Sequence, residues 1–96
     1  MKKKGRTIIW PVYLDGSKPR SGGRIISSED AIHEPRLNEI EAAADKLGLH
    51  PEVEPHKAYP GSWWEISGRV WVDEVGPKSE IARDLARAIQ NLRQKK

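Results

Sequence analysis

The chain is predicted to be an α+β protein, a single βαββα domain with a three-stranded antiparallel sheet and two helices packed on one face. Three observations support this. Leu37, Ile40, Ala43, Ala44 and Leu47 recur at helical spacing, as do Ile81, Leu85, Ala88, Ile89 and Leu92. Thr7–Leu14 and Trp63–Glu74 instead alternate β-branched and aromatic residues with a period of two. Finally, 96 residues with 36% apolar content suffice for one core but not for two.

Thr7–Leu14 reads as the first strand, with Ile8, Trp10, Val12 and Leu14 on one face and Ile9, Pro11 and Tyr13 on the other. Pro11 donates no ladder hydrogen bond, which favours an edge or a bulge. Ser27–Ile32 suits a short helical turn capped by serine. After Pro35 comes the first helix, which Gly48 ends as a C-terminal cap. Two prolines hold Leu49–Pro55 extended, and His56–Ser62 is a loop. In the strand Trp63–Glu74, Trp64, Ile66, Gly68, Val70 and Val72 share one face, while Trp63, Glu65, Ser67, Arg69 and Trp71 share the other. Val75-Gly76-Pro77 breaks it, and Ser79 is placed to cap the last helix. Residues 1–96 thus read as one domain, with basic flexible ends at about 1–6 and 93–96.

Charge is distributed unevenly along this chain. Residues 1–24 carry seven cations and one anion, residues 25–77 four cations and eleven carboxylates, and residues 78–96 six cations and two carboxylates. The net charge of +3 therefore conceals basic ends and an acidic middle. Ends that meet in space form a basic face suited to phosphates. Lys2–Lys4 and Lys95–Lys96 also fit solvated tails, but a tail does not account for Lys18, Arg20 and Arg24 inside the loop Asp15–Arg24.

Several classes of function are disfavoured. Without cysteine there is neither a disulfide framework nor a thiolate metal site, in keeping with a cytoplasmic address. No apolar run approaches the roughly 18–20 residues that cross a bilayer, and Pro11 interrupts the short apolar run behind the basic N-terminus. His33, His50 and His56 lack metal-ligand spacing. There is no nucleophile elbow, Walker loop or paired-carboxylate signature, and Ser21-Gly22-Gly23-Arg24 lacks the lysine-serine end of a phosphate loop. The chain is expected to be non-enzymatic and free of cofactor and metal.

Nucleic-acid binding fits better. Arginine offers a planar fork to phosphates, lysine a mobile charge, and glycine close approach of backbone amides. Pairing of the first and third strands would let the loop Asp15–Arg24 and the loop bearing Lys57 and Tyr59 clamp one ligand. The glycine, serine and charge of the first loop suggest that it is poorly ordered until a nucleic acid binds. Two alternatives use the sheet: base stacking on Tyr13 and Trp71, and a protein-interaction module built from the Trp71 face and the acidic helix with Glu39, Glu41 and Asp45.

Ile9-Trp-Pro-Val-Tyr-Leu-Asp15, Lys18-Pro-Arg-Ser21, Gly23-Arg24, Lys57-Ala-Tyr-Pro60, Ser62-Trp-Trp-Glu65 and Gly68-Arg-Val70 occur in that order. In these motifs the chain resembles the nineteen-kilodalton protein family of the signal recognition particle, in its archaeal form, from about Ile8 to the last helix. The resemblance implies a βαββα fold that binds the particle (7S) RNA at the tips of helices 6 and 8. It also implies that binding prepares the RNA for the fifty-four-kilodalton GTPase subunit, in support of co-translational targeting. The free protein is expected to be a monomer. Carried over residue by residue, the RNA-facing candidates are Tyr13, Lys18, Arg20, Arg24, Lys57 and Tyr59. The chain departs from the family at Ile25, where a second arginine is usual, and at Gly61, where a basic residue is common.

Overall fold

The computed structural model describes residues 5–62 and 64–94. Its elements are β1 (Arg6–Ile9), α1 (Leu37–Lys46), β2 (Glu52–Glu54), β3 (Arg69–Asp73) and α2 (Lys78–Gln94), with single-turn 3-10 helices at Pro11–Leu14, Arg20–Gly22 and Pro60–Ser62. β3 is the central strand, antiparallel to β1 on one side and β2 on the other. This is the expected βαββα architecture.

The strands are shorter than the sequence pattern suggests. β1 stops at Ile9, and Pro11–Leu14 winds into a 3-10 turn with Pro11 at its first position. Proline lacks the donor a ladder needs, and its fixed φ suits the start of a helical turn. The expected face of Ile8, Trp10, Val12 and Leu14 is therefore corrected: Thr7 and Ile9 are the buried residues of β1, and Leu14 rejoins the core only because the turn redirects the chain. β3 likewise begins at Arg69, leaving Trp64–Gly68 in the preceding loop. Trp63 lies outside the described residues, as do Lys2–Lys4 and Lys95–Lys96. Arg6 and Arg93, read as parts of flexible ends, belong to β1 and α2.

Ile9, Val70 and Val72 are fully buried on the inner face of the sheet, in one cluster with Ile40, Ala43 and Ala44 of α1 and Ile81, Leu85 and Ile89 of α2. Alanines at 43, 44, 82, 86 and 88 let the two helices approach closely. α1 ends as expected: the Gly48 N–H donates to Asp45 O and the Leu49 N–H to Ala44 O, satisfying carbonyls at the helix end. α2 starts one residue before its expected cap. Ser79 lies within its first turn, and Pro77 O accepts from the Glu80 and Ile81 N–H groups instead.

Arg93 joins the far end of α2 to the start of α1. Its Nε and Nη2 each donate to a Glu39 carboxylate oxygen at 2.7 Å, and Nη1 donates to His33 O at 3.1 Å. Glu39 also accepts from the Arg36 N–H at 3.0 Å, which satisfies a free donor at the start of α1. The Arg93 hydrogen bonds hold the Glu39 carboxyl below its ordinary range. Because the folded value lies below the unfolded one, this contribution is complete above the ordinary value of 4.5 and is lost as pH falls through the lowered folded value. In urea titrations, the stability advantage of wild type over Glu39→Gln is expected to be largest near neutrality and to shrink from pH 5 to pH 3.

Candidate nucleic-acid interface

The β1–β3 register pairs Ile9 with Val70, so the chain leaving β1 and the chain entering β3 lie at the same end of the sheet. An aromatic cluster joins the two segments. The ring of Tyr59 stands edge-on to Trp10, with centroids 5.5 Å apart, and to Tyr13, at 6.0 Å. Burial, with a smaller contribution from the Tyr59 phenol, pushes the Tyr13 phenol above its ordinary range. Lys78 Nζ lies 5.3 Å from the centroid of the Tyr13 ring.

The basic loop carries a set of internal hydrogen bonds. Its neck is closed by Gly16 N–H to Ile32 O at 2.7 Å and Ile32 N–H to Leu14 O at 2.9 Å. Asp15, the sole anion of residues 1–24, accepts from both the N–H and the hydroxyl of Ser17. Arg24 clips the loop from within, with Nε donating to Ile26 O at 2.9 Å and Nη1 to Lys18 O at 3.0 Å. The expected turn after Ser27 forms, and α2 braces it: Arg87 Nε donates to the Asp30 carboxylate and Gln90 Nε2 to Asp30 O.

The six candidate residues do not form one patch. Lys18 and Tyr59 line a cleft of about 230 Å³ between the two loops, shared with Val12, Asp15, Glu65 and Ser67. Tyr13 adjoins this cleft through Tyr59. Arg20 is exposed and lines a separate groove with Ser27, Ser79 and Arg83. Lys57 is exposed at the base of the second loop, where its carbonyl accepts from the Gly68 N–H at 2.8 Å. Arg24 is half-buried, with its guanidinium engaged by the loop.

Ile25 and Gly61, the two positions where a basic residue was expected, are both set in packed surroundings. Ile25 packs against the core and donates its N–H to Tyr13 O. A Cβ at Gly61 would sit 3.0 Å from the Tyr59 ring, so a longer residue there requires that ring to move.

The outer face of the sheet offers no bare tryptophan. Trp71 is only 3% exposed, and its indole N–H donates to Glu54 Oε1 at 2.8 Å. Arg69 lies 5.5 Å from the Trp10 ring centroid and 5.6 Å from that of Trp71, and donates to the same Glu54 oxygen. The Arg69 hydrogen bond, reinforced by that of Trp71, holds the Glu54 carboxyl below its ordinary range. Base stacking or partner docking on Trp71 is thereby corrected, because side chains of the protein itself cover the indole. Among the described residues there is also no cluster of three or more His, Cys, Asp or Glu able to hold a metal, and no helix long and apolar enough to cross a membrane.

The family model for the SRP19 protein matches residues 8–92. The chain belongs to the SRP19 family. It is 63% identical over 93 residues to the signal recognition particle 19 kDa protein of Methanosarcina barkeri, covering 97% of this chain and 92% of that one. It superposes with a TM-score of 0.83 and 46% identity on SRP19 crystallised in complex with the S domain of signal recognition particle RNA, covering 86% of this chain and 95% of that one. A structure of SRP19 from Pyrococcus furiosus, one of two proteins described as assembling the ribonucleic core of the particle, gives a TM-score of 0.82 at 30% identity, with 95% and 98% coverage.

Sequence reasoning missed the contacts that Trp10, Arg69 and Lys78 make around this candidate site. The alternating pattern places Trp10 on a strand face, and nothing local to Lys78 points to Tyr13, sixty-five positions earlier. The same pattern places Gly68 in a strand, yet it has φ +77° and ends the second loop. A Cβ there would come within 2.6 Å of Leu37 Cδ2 and 3.1 Å of Pro55 Cα. Gly68→Ala is expected to cost at least about 2 kcal/mol in chemical denaturation, combining left-handed backbone strain with a steric clash.

Proposed function

We propose that the chain is a non-catalytic, cytoplasmic RNA-binding assembly subunit of the signal recognition particle. It binds the tips of RNA helices 6 and 8 with the loops on either side of Tyr59, and so prepares the RNA for the fifty-four-kilodalton GTPase subunit. The observation that carries this reading is the convergence of two cation-bearing loops at one end of the sheet, on a fold shared with an SRP19 crystallised on particle RNA.

The candidates divide by role. Lys18, Arg20 and Lys57 reach phosphates, lowering the repulsion between two hairpins brought together. Arg24 maintains the shape of the loop that presents them. Tyr13 and Tyr59 hold the two loops in register and offer ring edges and hydroxyls to splayed bases. Specificity rests on loop shape and unpaired bases, since side chains cannot read the deep major groove of A-form RNA.

A salt-titrated binding assay with a particle RNA fragment carrying both hairpins tests this reading. Wild type is expected to bind tightly, and replacement of the tetraloop should weaken binding. Equal, weak, salt-limited binding to both fragments would reduce the loops to a general polyanion patch. Arg20→Ala is expected to lower the slope of log K against log salt by about one while leaving thermal stability unchanged. Arg24→Lys is expected to behave differently. Lysine cannot reproduce a two-nitrogen clip, so amide exchange across 18–26 should accelerate in the free protein, a change Arg20→Lys should not produce.

A further inference from the structure

The segment between Lys57 and Arg69 contains no cation, and its one charged residue is Glu65. It nevertheless stands beside the basic loop, with Glu65 and Ser67 lining the cleft that Lys18 and Tyr59 share. Trp64 and Ile66, which alternate with them in sequence, are 64% and 67% exposed. Burial of the other described tryptophans is nearly complete: Trp10 is 7% exposed and Trp71 3%. The lower part of this loop is anchored by the Gly68 N–H to Lys57 O hydrogen bond and by Tyr59 against Trp10 and Tyr13.

An anionic, apolar segment has little to offer a phosphate, and the carboxylates of Asp15, Glu34 and Glu65 around the cleft repel one. An exposed indole in the loop that begins at Lys57 suits the other part of a nucleotide, its base. Every base presents a π-face, and stacking on tryptophan needs no counter-charge.

Resting on the RNA-binding reading above, we propose that Trp64 is a stacking platform for an unpaired base of the bound RNA, with Ile66 forming the apolar rim of that contact. Lys18 and Lys57 hold the backbone, and the base projects onto the indole. The loop before β3 then contributes affinity of a kind that salt does not screen, alongside the salt-sensitive contribution of the basic loop.

The test compares wild type, Trp64→Ala, Trp64→Phe and Lys57→Ala in salt-titrated binding to the two-hairpin RNA fragment, with thermal unfolding of each variant as a control. Trp64→Ala is expected to weaken binding ~10- to 100-fold at every salt concentration, with the salt slope unchanged. Trp64→Phe, which retains a ring, should stay within ~3-fold of wild type. Lys57→Ala should lower the slope by about one. RNA should also quench a smaller share of the tryptophan emission in Trp64→Phe than in wild type. Undiminished affinity in Trp64→Ala, or a loss accompanied by a reduced salt slope, overturns the stacking proposal alone. Wild type that fails to bind the fragment overturns the RNA reading and this proposal with it.

Discussion

Pairing Ile9 with Val70 in an antiparallel ladder decides which parts of the chain can cooperate. Because the strands run in opposite directions, the exit of β1 and the entrance of β3 share one end of the sheet, although some sixty residues separate them in sequence. Both loops that carry the candidate RNA contacts spring from that end. Tyr59 then turns proximity into fixed geometry by wedging its ring against Trp10 and Tyr13. Without the ladder, the basic loop and the Lys57–Gly68 loop would be unrelated surface segments.

The two faces of the sheet do different work. The inner face buries Ile9, Val70 and Val72 against both helices and supplies the core. On the outer face, where no helix packs, the protein covers itself: Arg69 lies over Trp10 and Trp71, and Glu54 binds both Arg69 and the Trp71 indole. Arg6 reaches the His50 and Trp71 carbonyls from the edge strand. This arrangement explains how a lean sequence, 36% apolar, encloses a three-stranded sheet with helices on only one side.

Charge follows the same division between structure and recognition. Glu39, Glu54 and Asp30 of the acidic middle are engaged by Arg93, Arg69 and Arg87, and Asp73 binds the His50 ring. Arg93 acts as a planar fork, holding both carboxylate oxygens of Glu39. Lys18, Arg20 and Lys57 have no ion-pair partner within 4.0 Å among the described residues, which leaves them available to an outside anion. Arg24 stands between the two groups, a cation whose guanidinium shapes the loop that presents the others.

The sequence by itself determined the elements and the chemistry. Apolar spacing marked both helices, Gly48 marked the end of α1, and the clustering of Lys18, Arg20, Arg24, Lys57 and Tyr59 in two loops pointed to a polyanion. These are local properties, set by a residue and its near neighbours. Tertiary structure decided where each strand stopped and which residues became available. Pro11 ended β1 early by winding into a turn, and Gly68, held at positive φ against Leu37 and Pro55, kept Trp64 and Ile66 out of β3 and exposed them. It also decided that Trp71 is covered and that Arg24 is a clip, because both outcomes depend on partners that only the folded chain brings within reach. Alternation along a strand specifies two faces equally well. Which one meets the helices, and which side chains close over the other, is settled by packing between segments far apart in sequence.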